Sequence, residues 1–74
     1  MTNNLIIVDD DLPFRERLSR SMEKKGFVVE SFSNFKESSE RINSKNFDFA
    51  IVDMRLEDGS GLELIKEIKT TNPG

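Results

Sequence analysis

Leu5-Ile6-Ile7-Val8 is an unbroken apolar run, mostly β-branched, that stops at Asp9-Asp10-Asp11. A run so short and continuous fits a strand covered on both faces, as inside a parallel sheet. It is far too short to span a membrane. The form returns at Phe47-Asp48-Phe49-Ala50-Ile51-Val52, which ends at Asp53. Between them lies Phe27-Val28-Val29-Glu30-Ser31-Phe32, whose polar residues suit the edge of a sheet.

Helical signals fill the gaps. Phe14, Leu18 and Met22 recur every four residues and share one face. Asp10 or Asp11 can cap that helix, Pro13 is tolerated in its first turn, and Gly26 suits a left-handed stop. Asn34 with Glu37 forms a capping pair for a second helix reaching about Ser44. Its apolar face is thin, with Ser38-Ser39 between Phe35 and Ile42. Met54 to Ser60 is expected as a loop turning at Asp58-Gly59. Ser60-Gly61-Leu62-Glu63 has capping-box form before a third helix. That helix would bury Leu64, Ile65 and Ile68 and stop at Asn72-Pro73-Gly74.

The order is βαβαβα, the signature of a parallel sheet with helices on its faces. With 74 residues, one small domain is expected. Histidine and cysteine are absent, which excludes a Ser-His-Asp triad, a His- or Cys-ligated zinc site and any disulfide. A net charge of −3 argues against a nucleic-acid surface. The opening Met-Thr-Asn-Asn lacks the basic region of a signal peptide, so a cytoplasmic protein is expected.

The placement of the acids carries the chemistry. Asp9 and Asp10 follow the first strand and Asp53 follows the third. The carboxyl ends of parallel strands share one rim, and ligands bind where the winding reverses. If the second and third strands flank the first, these acids sit one strand spacing apart, about 4.8 Å. At 4 Å and an effective dielectric near 20, each like-charged pair costs roughly 4 kcal/mol before screening. A cation relieves that repulsion, and oxygen-only ligands suit Mg²⁺. A carboxylate beside such an ion can act as a nucleophile toward phosphorus. The bland alternative is that acids after strands merely cap helices; it holds for Asp11, since a row of three exceeds what a cap needs.

These residues resemble a known family. Leu5-Ile6-Ile7-Val8-Asp9-Asp10-Asp11 is similar to the opening of two-component response-regulator receiver domains. Phe47-Asp48-Phe49-Ala50-Ile51-Val52-Asp53-Met54 resembles their phosphoacceptor strand, and Gly61-Leu62-Glu63-Leu64 the start of their third helix. The loop Arg55-Leu56-Glu57-Asp58-Gly59-Ser60-Gly61 looks like that of proteobacterial redox and photosynthesis-control regulators. The resemblance implies a flavodoxin-like, CheY-like α/β fold, with residues 1–74 as the N-terminal portion of a receiver in three βα units. It implies Asp53 as acceptor of a phosphoryl group from a sensor histidine kinase. It implies Mg²⁺ held by Asp9, Asp10, Asp53 and the backbone carbonyl of Arg55. Receivers have two further βα units bearing a Ser or Thr and a Lys that contact the phosphoryl group. This segment alone is therefore expected to be phosphorylated slowly or not at all. DNA would be reached only through a separate output domain.

Two other readings compete. A pseudo-receiver or half-domain would serve only as an interaction module, with the third strand's open edge joining two copies or swapping between them. A phosphatase with an Asp nucleophile would carry a second Asp two residues on, where this chain has Arg55. Nucleotide-binding glycine motifs do not follow the first strand. Phe14, Phe47 and Phe49 are expected in the core of a whole domain.

Overall fold

The computed structural model describes residues 3–71. A strand, β1 (Asn4–Val8), runs through the middle of a parallel three-stranded sheet. On one side lies β2 (Val28–Phe32) and on the other β3 (Phe49–Val52), giving the order β2-β1-β3. The register brings Val8 level with both Phe32 and Val52. Leu5, Ile6, Ile7 and Val8 are at most 1% exposed, which accounts for the unbroken apolar run.

Successive residues of a strand face opposite sides of the sheet. Ile6 and Val8 join Ile42, Phe47, Leu56 and Leu64 in one buried cluster, against which Phe32, Phe35, Val52 and Ile68 pack. Helices α2 (Phe35–Ser44) and α3 (Gly61–Thr71) supply that face. Each fully buried side chain of this kind contributes about 1.5–3 kcal/mol, so the core sits here. The other face is covered by α1 (Leu12–Lys24), packed on β1 and β2. Right-handed crossovers require this division, because the step from β1 to β2 runs opposite to the step from β2 across to β3.

Local chemistry sets the helix ends. Asp11 caps α1, its carboxylate accepting from the Phe14 amide at 3.1 Å. At the other end Gly26 takes a φ of 98°. The Phe27 amide then reaches back to the Met22 carbonyl and the Gly26 amide to that of Glu23, a Schellman stop. Asn34 caps α2 through the Glu37 amide at 2.9 Å, as its spacing predicts. The stop expected at Asn72-Pro73-Gly74 lies outside the described residues.

Several expectations are revised. The segment after Asp53 is a small hairpin rather than a loop, with β4 (Arg55–Leu56) paired antiparallel to β5 (Gly59–Ser60). The second strand begins at Val28, and the third at Phe49 rather than Phe47. Phe47 nevertheless is buried, whereas Phe49, within the strand, is 49% exposed and stacks edge-on against Phe27. Phe14 is 41% exposed, and α1 contains no fully buried residue.

The outer edge of β2 carries a charged lock. Glu30 accepts from Arg41 at 2.7 Å and from Lys45 at 2.6 Å, and Lys45 also lies 5.4 Å above the Phe47 ring. A charge held on an edge strand discourages pairing with other sheets. The Arg41 guanidinium foremost, then the Lys45 ammonium, bring the Glu30 pKa from 4.5 to about 2, against partial burial, which raises it. Depression in the folded state means that Glu30 stabilises fully above its unfolded value and loses this as pH falls toward its folded one. Urea midpoints of the parent and Glu30→Gln should therefore differ most at neutral pH and converge between about 4.5 and 2. A gap that stays constant over that window would show that the lock carries no stability.

Candidate functional site

The sheet ladder runs directly into the acidic residues. The Asp9 amide donates to the Phe32 carbonyl at 3.1 Å, and the Asp53 amide to the Val8 carbonyl at 2.8 Å. The tips of β1 and β3 are thus locked side by side. Asp9, Asp10 and Asp53 each offer a carboxylate oxygen, and these atoms all lie within 4.8 Å of one another. Asp10 is exposed, while Asp9 and Asp53 are half-buried.

Backbone groups hold the carboxylates in place. Asp9 Oδ1 accepts from the Asp11 amide at 2.9 Å, and Asp53 Oδ1 from the Arg55 amide at 3.1 Å. Arg15, in the first turn of α1, donates to the Asp9 carbonyl at 2.8 Å rather than to a carboxylate, so it steadies the turn without neutralising the acids.

The hairpin sets the remaining geometry. Gly61 donates to the Met54 carbonyl at 3.2 Å, and Arg55 pairs with Ser60 inside that rung. Antiparallel rungs alternate between bonded and non-bonded pairs, so the Arg55–Ser60 backbone groups face outward. The Arg55 amide points to Asp53, and in an extended residue the carbonyl lies on that same side. Ser60 caps α3 through the Leu62 amide at 3.2 Å. Gly61 is needed for closeness, since a Cβ there would lie 2.1 Å from the Asp53 carbonyl oxygen.

All three aspartates that the sequence singles out therefore converge, and Arg55 stands beside them. Asp11 stays outside the cluster as a helix cap. Sequence reasoning missed Arg15 and the roles of Gly61 and Asp58, because their partners are set by the folded loop and leave no local pattern. A donor set of close carboxylate oxygens, without sulfur or imidazole, fits a hard divalent cation.

A parallel α/β sheet with an acidic cluster at the tips of its central and third strands is the arrangement expected of a receiver-type module. Residues 5–74 match the family model described as response regulator receiver domain, and the chain belongs to that family. It is 40% identical over 70 residues to the photosynthetic apparatus regulatory protein RegA of Cereibacter sphaeroides, covering 95% of this chain and 38% of that protein. It is 42% identical over 66 residues to the acid tolerance regulatory protein ActR of Rhizobium meliloti, covering 89% of this chain and 34% of ActR. The chain thus spans a little over a third of the length of these relatives. Among solved structures, it superimposes with a TM-score of 0.88 and 31% identity on a Burkholderia pseudomallei response regulator that holds a phosphorylated aspartic acid, calcium and citrate. That match covers 96% of this chain and 42% of the other. The non-phosphorylated HemR receiver domain of Leptospira biflexa gives a TM-score of 0.87 at 26% identity, covering 97% of this chain and 58% of that one. No helix among the described residues is long and apolar enough to cross a membrane.

Proposed function

We propose that Asp53 accepts a phosphoryl group from a sensor histidine kinase at a Mg²⁺ site formed by Asp9, Asp10, Asp53 and the Arg55 carbonyl. Residues 1–74 are, in this reading, the N-terminal portion of a receiver domain working in the cytoplasm. The observation that carries the reading is the gathering of three carboxylate oxygens within 4.8 Å at adjacent strand tips. Asp10 would hold the ion directly, and Asp9 directly or through water. Mg²⁺ held there would offset the crowded negative charge and the charge on the phosphoryl oxygens during transfer. An Asp53 carboxylate oxygen attacks phosphorus; the new O–P bond forms as the P–N bond to the kinase histidine breaks, and the imidazole takes up a proton. The name of a further relative, the transcriptional regulatory protein ZraR of Klebsiella oxytoca, supports a role in transcriptional control, with DNA contacted by another part of the protein.

Acetyl phosphate tests the reading. With Mg²⁺, it adds about 80 Da, the mass of HPO₃, to a protein in which this chain is followed by the remainder of a receiver. The 74-residue chain alone takes up little or none, for want of the Ser or Thr and Lys of later units. Absence of the adduct from the longer protein overturns the assignment. One observation favours an additional property of the isolated chain: β3 has no strand on its outer side among the described residues, and Phe49, Ala50 and Ile51 are exposed there. Such an edge joins a second copy as a homodimer or swapped oligomer, which light scattering detects as a mass that rises with concentration.

A further inference from the structure

The turn of the β4–β5 hairpin reaches across to a helix that takes no part in the acidic site. Asp58 Oδ1 accepts from the Phe35 amide at 2.7 Å, and Asp58 Oδ2 from the Lys36 amide at 3.0 Å. Asn34 takes the next amide, that of Glu37, at 2.9 Å. The first three amides of a helix have no partner within it. In α2 all three are satisfied, two of them by a residue more than twenty positions away in sequence. The two amides, Phe35 before Lys36, hold the Asp58 carboxyl below its ordinary range, as expected for an anion at a helix N-terminus.

The hairpin is tightly seated at that end. Gly59 lies so near Phe35 that a Cβ would come within 2.5 Å of the ring's Cγ, and Leu56 is buried in the core. Its other end is Arg55, whose amide orients Asp53 Oδ1. The segment between Asp53 and α3 is thus pinned at both ends, to the strand tips and to α2.

We propose that Asp58 is a positioning residue for the acidic site. By gripping the start of α2, it fixes the hairpin, and through Arg55 it fixes the Asp53 carboxylate and the Arg55 carbonyl. The inference rests on the metal-assisted phosphoacceptor reading. It also makes α2 sensitive to the state of Asp53, since any movement of the hairpin pulls on two amides at once.

Asn34 provides the control, because it caps the same helix through side-chain hydrogen bonds to the Glu37 amide and Ser33 and not to the hairpin. Mg²⁺ affinity of the 74-residue chain is measured by NMR titration, together with hydrogen exchange at the Arg55 amide. Asp58→Ala and Asn34→Ala should both lower the urea midpoint. Only Asp58→Ala should weaken Mg²⁺ binding, by roughly 10-fold, the lower end of what loss of a ligand-orienting partner costs. Only Asp58→Ala should speed Arg55 exchange. Asp58→Asn, which keeps one carbonyl acceptor, should fall between and serves if the alanine variant does not fold. Equal Mg²⁺ affinity in the parent and the Asp58 variant would reduce Asp58 to a cap and overturn the inference while leaving the site intact. Equal weakening by the Asn34 and Asp58 variants would assign the effect to stability and overturn it as well. A parent that binds no Mg²⁺ would remove both the inference and the reading beneath it.

Discussion

In the protein that carries the remainder of the receiver, Asp53→Asn should abolish the phosphoryl adduct completely while leaving the fold in place. The asparagine keeps a carbonyl oxygen where Asp53 Oδ1 accepts from the Arg55 amide, and the backbone bond from residue 53 to Val8 is untouched. What disappears is the nucleophilic carboxylate and one charge of the trio. In metal-free buffer the variant should therefore be at least as stable as the parent, because like charges within 4.8 Å no longer repel. Adding Mg²⁺ separates the two. At a hundredfold excess over its dissociation constant, a ligand specific to the folded state stabilises by about 2.7 kcal/mol. The parent should show that gain, and the variant much less at the same concentration. Uptake of acetyl phosphate at the parent's rate by the variant would place the acceptor elsewhere.

Gly61→Ala is the substitution expected to do most damage to stability and site together. Its Cβ would stand 2.1 Å from the Asp53 carbonyl oxygen, 2.8 Å from the carbonyl carbon and 2.9 Å from the Met54 Cα. All three are backbone atoms, held by the bond from the Asp53 amide to Val8, so no rotamer change makes room. Gly59→Ala is a useful contrast, because its nearest neighbours belong to the Phe35 side chain rather than to backbone, although the Phe35 Cβ at 2.9 Å stays in place when the ring turns. Overpacking costs typically 1–3 kcal/mol, and the backbone clash puts Gly61→Ala at about 3 kcal/mol. Relief can come only by moving Asp53 or the start of α3, so Mg²⁺ affinity should fall in parallel. A urea midpoint close to the parent's, with metal binding unchanged, would show that the crowding at Gly61 is of no consequence.

The strands and their acids were readable because the physics that forms them is local in sequence. A strand buried on both faces must be apolar throughout, and Leu5-Ile6-Ile7-Val8 is; an acid just after it can lie only at the rim. The helix caps were readable for the same reason, since Asp11 and Asn34 act on amides three residues ahead. The rest depends on distant partners. Ser38 interrupts the apolar face of α2 yet is fully buried, its hydroxyl within 2.8 Å and 2.9 Å of the Asn34 and Phe35 carbonyls. Ser39 donates to Glu67 on α3, a contact that periodicity cannot anticipate. The β4–β5 strands are too short for any alternation pattern, and the hairpin is held by Asp58 and by the Gly61–Met54 bond. Phe47 and Phe49 are chemically identical, and only the position of each against α2 and α3 or the sheet's edge buries one and exposes the other.

The thin attachment of α1 bears on how the acidic turn behaves. That helix buries no side chain completely, yet Asp11 at its start and Arg15 one turn on both bond to Asp9. Backbone bonds tie Asp53 to Val8 and Asp9 to Phe32, whereas Asp10 directly precedes the cap of a helix without a fully buried side chain, which is expected to loosen first on warming. Heat should then scatter the aspartate trio before the sheet itself gives way, so that grip on a cation fades at temperatures where the domain still counts as folded.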